Sequence, residues 1–302
     1  ARWPAPSGSV PPPNTAEGCQ QLAQQWRKES VARIIVEATG APGRYEYPLI
    51  ATLQAAGLPV IVVNPRRSRA FAKAQGLRAK TDRIDATMLA PMGALLQLQP
   101  RALPDEQTRQ LQDFQARRRQ LIQRHTAQTN RLQQARQTRV RSSITTVLLL
   151  LKKQLQDLDT PVKDLIAAQP QWQEKADLID GVKGVGTQTA RLLVAQLPEL
   201  GQLSRPQIAM LAGLAPMNHD SGRLKGRRAI RGGRVQVRTG LYMAPLAAIR
   251  GNGVIQAFYR RLRSKGKPFK VALTAAMHKL LTILNAIVRT GKPWQQKLVP
   301  VT

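Results

Sequence analysis

Asp82 and Asp85 stand three residues apart in KTDRIDATMLA (80–90). That spacing puts both carboxylates on one face of a helical turn. The chain has few acids to spare, with 17 Asp and Glu against 47 Lys and Arg. Two readings compete. In the first, Asp82 caps a helix start and Asp85 sits in the first turn, where the helix dipole favours negative charge. In the second, the pair holds a metal ion. A third carboxylate, Glu37, closes the β-branched run VARIIVE (31–37), and ligands of an open parallel sheet sit outside the carboxyl ends of its strands. Three carboxylates at such an edge suit Mg²⁺, a hard cation that keeps sites open for water and substrate phosphates. In phosphoryl chemistry such ions stabilise the attacking and leaving oxygens.

A second cluster lies in MNHDSGRLKGRRAIRGGRVQVR (217–238). Ser221 sits in a polar turn followed by Arg223, Lys225, Arg227, Arg228, Arg231, Arg234 and Arg238. No G-x-S-x-G elbow surrounds it, which argues against a hydrolase triad. A hydroxyl among arginines suits attack on a phosphodiester, with the guanidinium groups neutralising the developing charge. The plainer reading is a phosphate-binding loop with an incidental serine. In GVKGVGTQTARLL (181–193), Gly184, Gly186 and Thr187 precede a helix whose N-terminal amides would face phosphate. The turn reads either as a helix-hairpin-helix that grips nucleic-acid backbone or as a tight interhelical connection. A dinucleotide site would need a preceding strand, and DLIDGVKG gives a helix instead.

The elements that must position these residues follow from periodicity. VARIIVE and GLPVIVVNP (57–65) read as strands, and YEYPLIATLQAA between them as a helix. A connection this short implies a βαβ unit and a parallel sheet. RSRAFAKAQG reads as a second helix and TDRIDATMLA as the start of a third, which Pro91 should kink or end. From 104 to 167 glycine is absent, and Leu111, Phe114, Leu121, Leu132, Ile144, Val147, Leu151, Leu155 and Leu158 recur at helical intervals. Long paired helices are expected there. Gly-rich turns between short helices follow from about 175, and helices around 254–264 and 269–289 close the chain. There is no internal repeat.

The whole chain narrows the partners. Its 302 residues allow two domains, and a formal net charge of +30 with a pI near 11.6 calls for a polyanion. Nucleic acid is the leading partner. A membrane surface is the rival, and no apolar run of spanning length is expected. The lone Cys19 rules out an internal disulfide and suits a reducing cytoplasm, and three scattered histidines (His125, His219, His278) rule out a zinc cluster. The opening ARWPAPSGSVPPPN lacks the apolar core of a secretory signal.

VEATG, VVNP, KTDRIDA, GVGTQTA, LAGLAP, HDSGRLKGRR and LYMAPLAA occur here in one order. That order resembles the insertion-sequence-110 family of transposases, DEDD enzymes that work with a bridge RNA and are related to the pilin-gene invertases. The resemblance runs from about residue 13 to 294. It implies an α/β RuvC-like (RNase H-like) N-terminal domain over 1–103 and a helical coiled-coil linker over 104–170. A mainly α C-terminal transposase domain with a helix-hairpin-helix-like turn would fill 171–302. It also implies four acids that bind Mg²⁺ and a serine nucleophile for DNA. By motif, Glu37, Asp82 and Asp85 match three of the acids, Ser221 matches the nucleophile, and Lys80 lies beside the acids on the nucleic-acid side. The implied partners are DNA, a structured bridge RNA and further copies of the chain, as a dimer or tetramer, at the nucleoid in the bacterial cytoplasm. The sequence also departs from the family. The family's first strand ends in Asp, whereas no Asp precedes Asp82, so the first of the four acids is missing, by truncation of the first strand or by a divergent start. RAIRGGRVQVR replaces the usual R-I-S-K-x-G-N-x-x-L-R. The expected activity is cleavage and rejoining of DNA for transposition, and the alternative is an inactive remnant that only binds nucleic acid.

Overall fold

The structure is a computed structural model that describes residues 12–39, 45–77, 81–100, 102–222, 224–226 and 228–295. It divides into two compact units, Ala1–Asp105 and Glu106–Thr302.

In the first unit, helix α1 (Ala16–Lys28) starts at Thr15, whose side chain accepts from the Gly18 amide, and it buries Cys19, Leu22 and Ala23. The sequence reading did not anticipate this helix, although Thr15 followed by Glu17 is an N-terminal signal. Strand β1 (Ile34–Glu37), helix α2 (Tyr47–Ala55) and strand β2 (Val60–Val63) form the expected βαβ unit. The strands are parallel, with Ile34 opposite Val60 and Glu37 opposite Val63. Helices α3 (Pro65–Ala74) and α4 (Asp82–Leu95) follow.

Period-two alternation gives this two-stranded sheet two apolar faces. Ile34, Val36 and Val60 join Leu22, Leu49, Ile50 and Leu53 on one face. Ile61 and Val63 meet Ala72, Met88 and Met92 on the other. This second core explains why α4 runs on through Pro91 to Leu95 instead of ending there. Met92 is fully buried, and packing its turn into the core outweighs the backbone hydrogen bond that proline gives up.

The second unit is mainly helical. Helices α5 (Glu106–Gln134) and α6 (Thr138–Asp157) pack side by side across a short connection at 135–137. The Arg141 guanidinium closes that corner by donating to the carbonyls of Leu132 and Ala135, at 2.9 and 3.0 Å. Next come α7 (Asp159–Ala167), α8 (Pro170–Asp180), α9 (Thr187–Gln196) and α10 (Arg205–Leu211). Four two-residue strands form two nested antiparallel pairs in one hairpin: β3 (Pro216–Met217), β4 (Asp220–Ser221), β5 (Leu224–Lys225) and β6 (Ala229–Ile230). β3 pairs with β6 at its root and β4 with β5 nearer its tip, both antiparallel. Helices α11 (Val235–Gly240), α12 (Met243–Gly251), α13 (Gly253–Ser264) and α14 (Phe269–Thr290) complete the unit.

Helix α14 is the centre of this core. Ala272, Leu273, Ala276, Met277, Leu280, Leu281, Leu284 and Ile287 are all buried along it. It also corrects one expectation, because its 22 residues are long and apolar enough to cross a membrane. Its buried positions recur every three or four residues and share one buried cluster with Leu193, Leu197, Ile208 and Leu241, the pattern of a helix at the centre of a protein core. Asn285, on the same helix, is buried too. Its side chain accepts from the Gly201 amide at 2.8 Å and donates to the Leu203 carbonyl at 2.9 Å, tying the loop before α10 to the core.

Candidate functional site

Glu37 ends β1 at the carboxyl edge of the sheet, and β2 ends opposite it. Asn64 then caps α3 by accepting from the Arg66 amide, with Pro65 at the first helical position. The chain therefore turns into a helix at once, and Ser68 falls beside Glu37. Ser68 is buried, and its hydroxyl donates to Glu37 Oε2. This contact fixes the carboxylate's orientation. Asp85 lines the same cavity, of about 420 Å³, together with Arg66, Arg69 and Lys73 from α3.

The cap of α4 is Thr81, whose hydroxyl accepts from the Ile84 amide at 3.2 Å. Capping therefore does not account for Asp82, which is the first residue of the helix, with Asp85 one turn on. The side chain of Asp82 and all of Lys80 lie outside the described residues. Among the described residues no three His, Cys, Asp or Glu side chains converge, so only Glu37 and Asp85 of the expected trio are seen to share a cavity. Two carboxylates beside a buried hydroxyl make an all-oxygen donor set, which fits a hard divalent cation.

The sequence reading missed Ser68, Arg66, Arg69 and Lys73. One signal was available. Arg66, Arg67 and Arg69 crowd the first turns of α3, which has no acid there. Positive charge is unfavourable at the positive end of a helix dipole. Cations placed there against that cost point to an anion nearby.

Ser221 closes β4 near the tip of the hairpin and is exposed, as are His219 and Asp220. It pairs with Leu224 across the turn, and Gly222 adopts φ +55 there, a conformation that suits glycine. Gly226 lets the strands close up, because a Cβ on it would lie 2.0 Å from the His219 carbonyl oxygen. Ser221 is thus exposed to solvent near the tip of the hairpin.

The basic residues of the stretch divide into two groups. Arg228 and Arg231 are exposed. Arg223, Arg227 and the side chain of Lys225 lie outside the described residues. Arg234, expected at phosphate, is instead engaged inside the fold. Its two terminal nitrogens donate to the Glu199 carboxylate at 2.6 Å each, and one also reaches the Gln196 carbonyl. Arg238 likewise donates to the carbonyls of Gly213 and Gly232, at 3.1 and 2.8 Å. These two guanidinium groups hold the root of the hairpin in place, Arg234 through both terminal nitrogens and Arg238 through one.

In the turn between α8 and α9, Gly184 has φ +99, and a Cβ on it would meet the Ala248 backbone at 2.5 Å. Its role here is the close approach of α12. Gly186 is the extended N-cap of α9 and has open space around it. Thr187 donates to the Asp180 carboxylate at 3.1 Å, so an internal anion already sits beside this helix start. Beyond Asp220 the sequence has no Asp or Glu through to Thr302, and the end of the second unit is uniformly basic.

Comparison with known proteins gives this arrangement a family. A model of DEDD transposases of the IS110 type, described as Transposase, matches residues 8–138, the span holding Glu37, Asp82 and Asp85. A second, described as Transposase IS116/IS110/IS902 family, matches residues 176–260, the span holding the α8–α9 turn and the Ser221 hairpin. The chain is 31% identical over 273 residues to a pilin gene-inverting protein of Moraxella bovis, covering 89% of this chain and 84% of that protein. A pilin gene-inverting protein of Moraxella lacunata is 30% identical over the same shares. An insertion element IS110 protein of Streptomyces coelicolor is 25% identical over 158 residues, 52% of this chain and 38% of that protein. Models of one kind of transposase match both halves of the chain, and a relative above 30% identity is covered over most of its length: the chain belongs to the IS110 family of transposases.

Proposed function

We propose that this transposase cuts and rejoins DNA through a serine-linked intermediate, with Mg²⁺ held by Glu37, Asp82 and Asp85. The observation that carries the metal half is the shared cavity of Glu37 and Asp85, with Ser68 fixing the first of them. The parallel βαβ unit with helices on both faces is consistent with a RuvC-like domain, in which such an edge holds metal. When bound, Mg²⁺ neutralises charge on phosphate oxygens. Ser221 Oγ forms a bond to phosphorus while the phosphorus bond to a DNA oxygen breaks, and the serine proton ends on that departing hydroxyl. The phosphoserine link keeps the bond energy, and attack by a second DNA hydroxyl releases the serine in a joined strand. Arg228 and Arg231 stand on either side of β6 at the root of the same hairpin, are exposed, and suit phosphates of the bound strand away from the scissile one.

A structured bridge RNA and self-association complete the reading. The excess positive charge accommodates both DNA and RNA. Ile122, Val140, Val147, Leu149 and Leu150 are exposed along α5 and α6, and apolar side chains in that number suit contact with further copies of the chain. The DNA substrate places the protein's work at the bacterial nucleoid.

The experiment is capture of the adduct. A nicked substrate, the guide RNA and Mg²⁺ should yield a denaturant-resistant protein–DNA complex with the parent and none with Ser221→Ala, while DNA binding persists in both. An adduct that survives in the alanine variant places the nucleophile elsewhere.

A further inference from the structure

The second unit contains a cavity of about 740 Å³ that the chemistry above does not use. It lies between the root of the Ser221 hairpin (Pro216, Ala229, Ile230), the ring of Phe258 on α13, and Val271, Thr274 and Ala275 on α14. Its size is that of a small-molecule or nucleobase pocket. The interior is apolar, and the charged groups in its lining are Arg228 and Lys270, with the His278 imidazole beside them and no acid among them. The exposed residues Arg260, Arg261, Arg263, Lys265 and Lys267 lead up to Lys270 along the connection from α13 to α14.

A free apolar solute has no use for that rim, and a phosphate alone has no use for the apolar interior. A nucleotide needs both. Bases in single strands are held by aromatic and apolar surfaces, while their phosphates track a positive groove. The His278 imidazole also offers a hydrogen-bonding nitrogen to a base edge. Position supports the same occupant. Ser221 is five residues beyond Pro216 on the same hairpin, at most roughly 17 Å away along extended chain. That is the length of about five stacked nucleotides at 3.4 Å each.

We propose that this cavity takes one unstacked base of the DNA strand lying along the Ser221 hairpin, with Arg228 and Lys270 on the neighbouring phosphates. Such a pocket fixes where along the strand the hairpin tip falls. The proposal requires that the chain handles DNA, and is independent of whether Ser221 is the nucleophile.

The test compares binding of a short thymidine oligomer with binding of the same deoxyribose-phosphate backbone lacking bases, using the full chain. The parent should favour the base-bearing strand by about 5- to 100-fold, the scale of stacking one base on a protein surface. Val271→Trp, which fills the half-exposed mouth, should lower that ratio at least about fivefold and leave the abasic affinity unchanged. Ala275→Met, deeper in the wall, gives the same readout should the tryptophan variant fail to fold. An unchanged ratio in the filled variant, or no preference in the parent, overturns the proposal. A ribose oligomer that alone responds to Val271→Trp overturns the DNA assignment and makes RNA the occupant. Because the ratio is read on uncleaved strands, loss of the covalent adduct with the ratio intact removes the serine mechanism and leaves the pocket standing.

Discussion

At the scale of single residues, the metal reading turns on two carboxylates with different supports. Glu37 is held by Ser68, whereas Asp85 projects from the first turn of a helix capped by Thr81. Asp85→Asn keeps the shape and removes the charge. It should slow strand cleavage about 100-fold or more, the scale of losing one electrostatic partner of a transition state, while DNA affinity stays within about twofold of the parent. Parent-like cleavage by this variant would leave the metal site without support. His278 gives a pH signature of a different kind. Burial holds its imidazole below the ordinary value of 6.5. As pH falls through that value, the unfolded chain takes up a proton that the folded chain refuses. Stability of the second unit should therefore drop below about pH 6.5 and be level above it. Denaturant melts at acidic and neutral pH should show a smaller difference for His278→Leu than for the parent. An equal difference would mean that His278 contributes nothing to the acid sensitivity.

At the scale of elements, the α8–α9 turn separates packing from binding. Gly184 combines a left-handed φ with contact against the Ala248 backbone, whereas Gly186 has neither constraint. Gly184→Ala should cost about 1–3 kcal/mol, from overpacking and strain together. Gly186→Ala should leave the melting temperature nearly unchanged and so reports directly on phosphate binding. If both variants melt like the parent, α12 has room to move away and the close approach is not required. Comparable DNA affinity in parent and Gly186→Ala would mark the turn as a structural connection.

At the scale of the whole molecule, charge dominates. A chain with a formal net charge of +30 repels itself in the absence of a polyanion. Arg234 and Arg238 are occupied internally, so phosphate contacts fall to exposed groups such as Arg228, Arg231 and the run from Arg260 to Lys270. If about six such contacts form, counterion release should weaken DNA binding by roughly 10³ between about 50 and 200 mM salt. A titration that is flat over this range would show that the positive surface serves something other than nucleic acid.

What the sequence determined by itself was short-range. The β-branched runs specified two strands, the helix between them made those strands parallel, and the final helices were readable from a period of three to four apolar residues. The spacing of Asp82 and Asp85 was likewise local, as was the placement of Ser221 in a turn beside glycine. Partnerships between distant positions were decided only by the tertiary structure. Ser68 meets Glu37 from 31 residues away and Arg234 meets Glu199 from 35, and no local pattern distinguishes an arginine facing phosphate from one facing an internal carboxylate. Pro91 shows the same limit, since its local tendency to end a helix was overridden by the buried Met92. Propensity and periodicity act over a few residues, whereas burial and charge pairing depend on which surfaces the folded chain brings together.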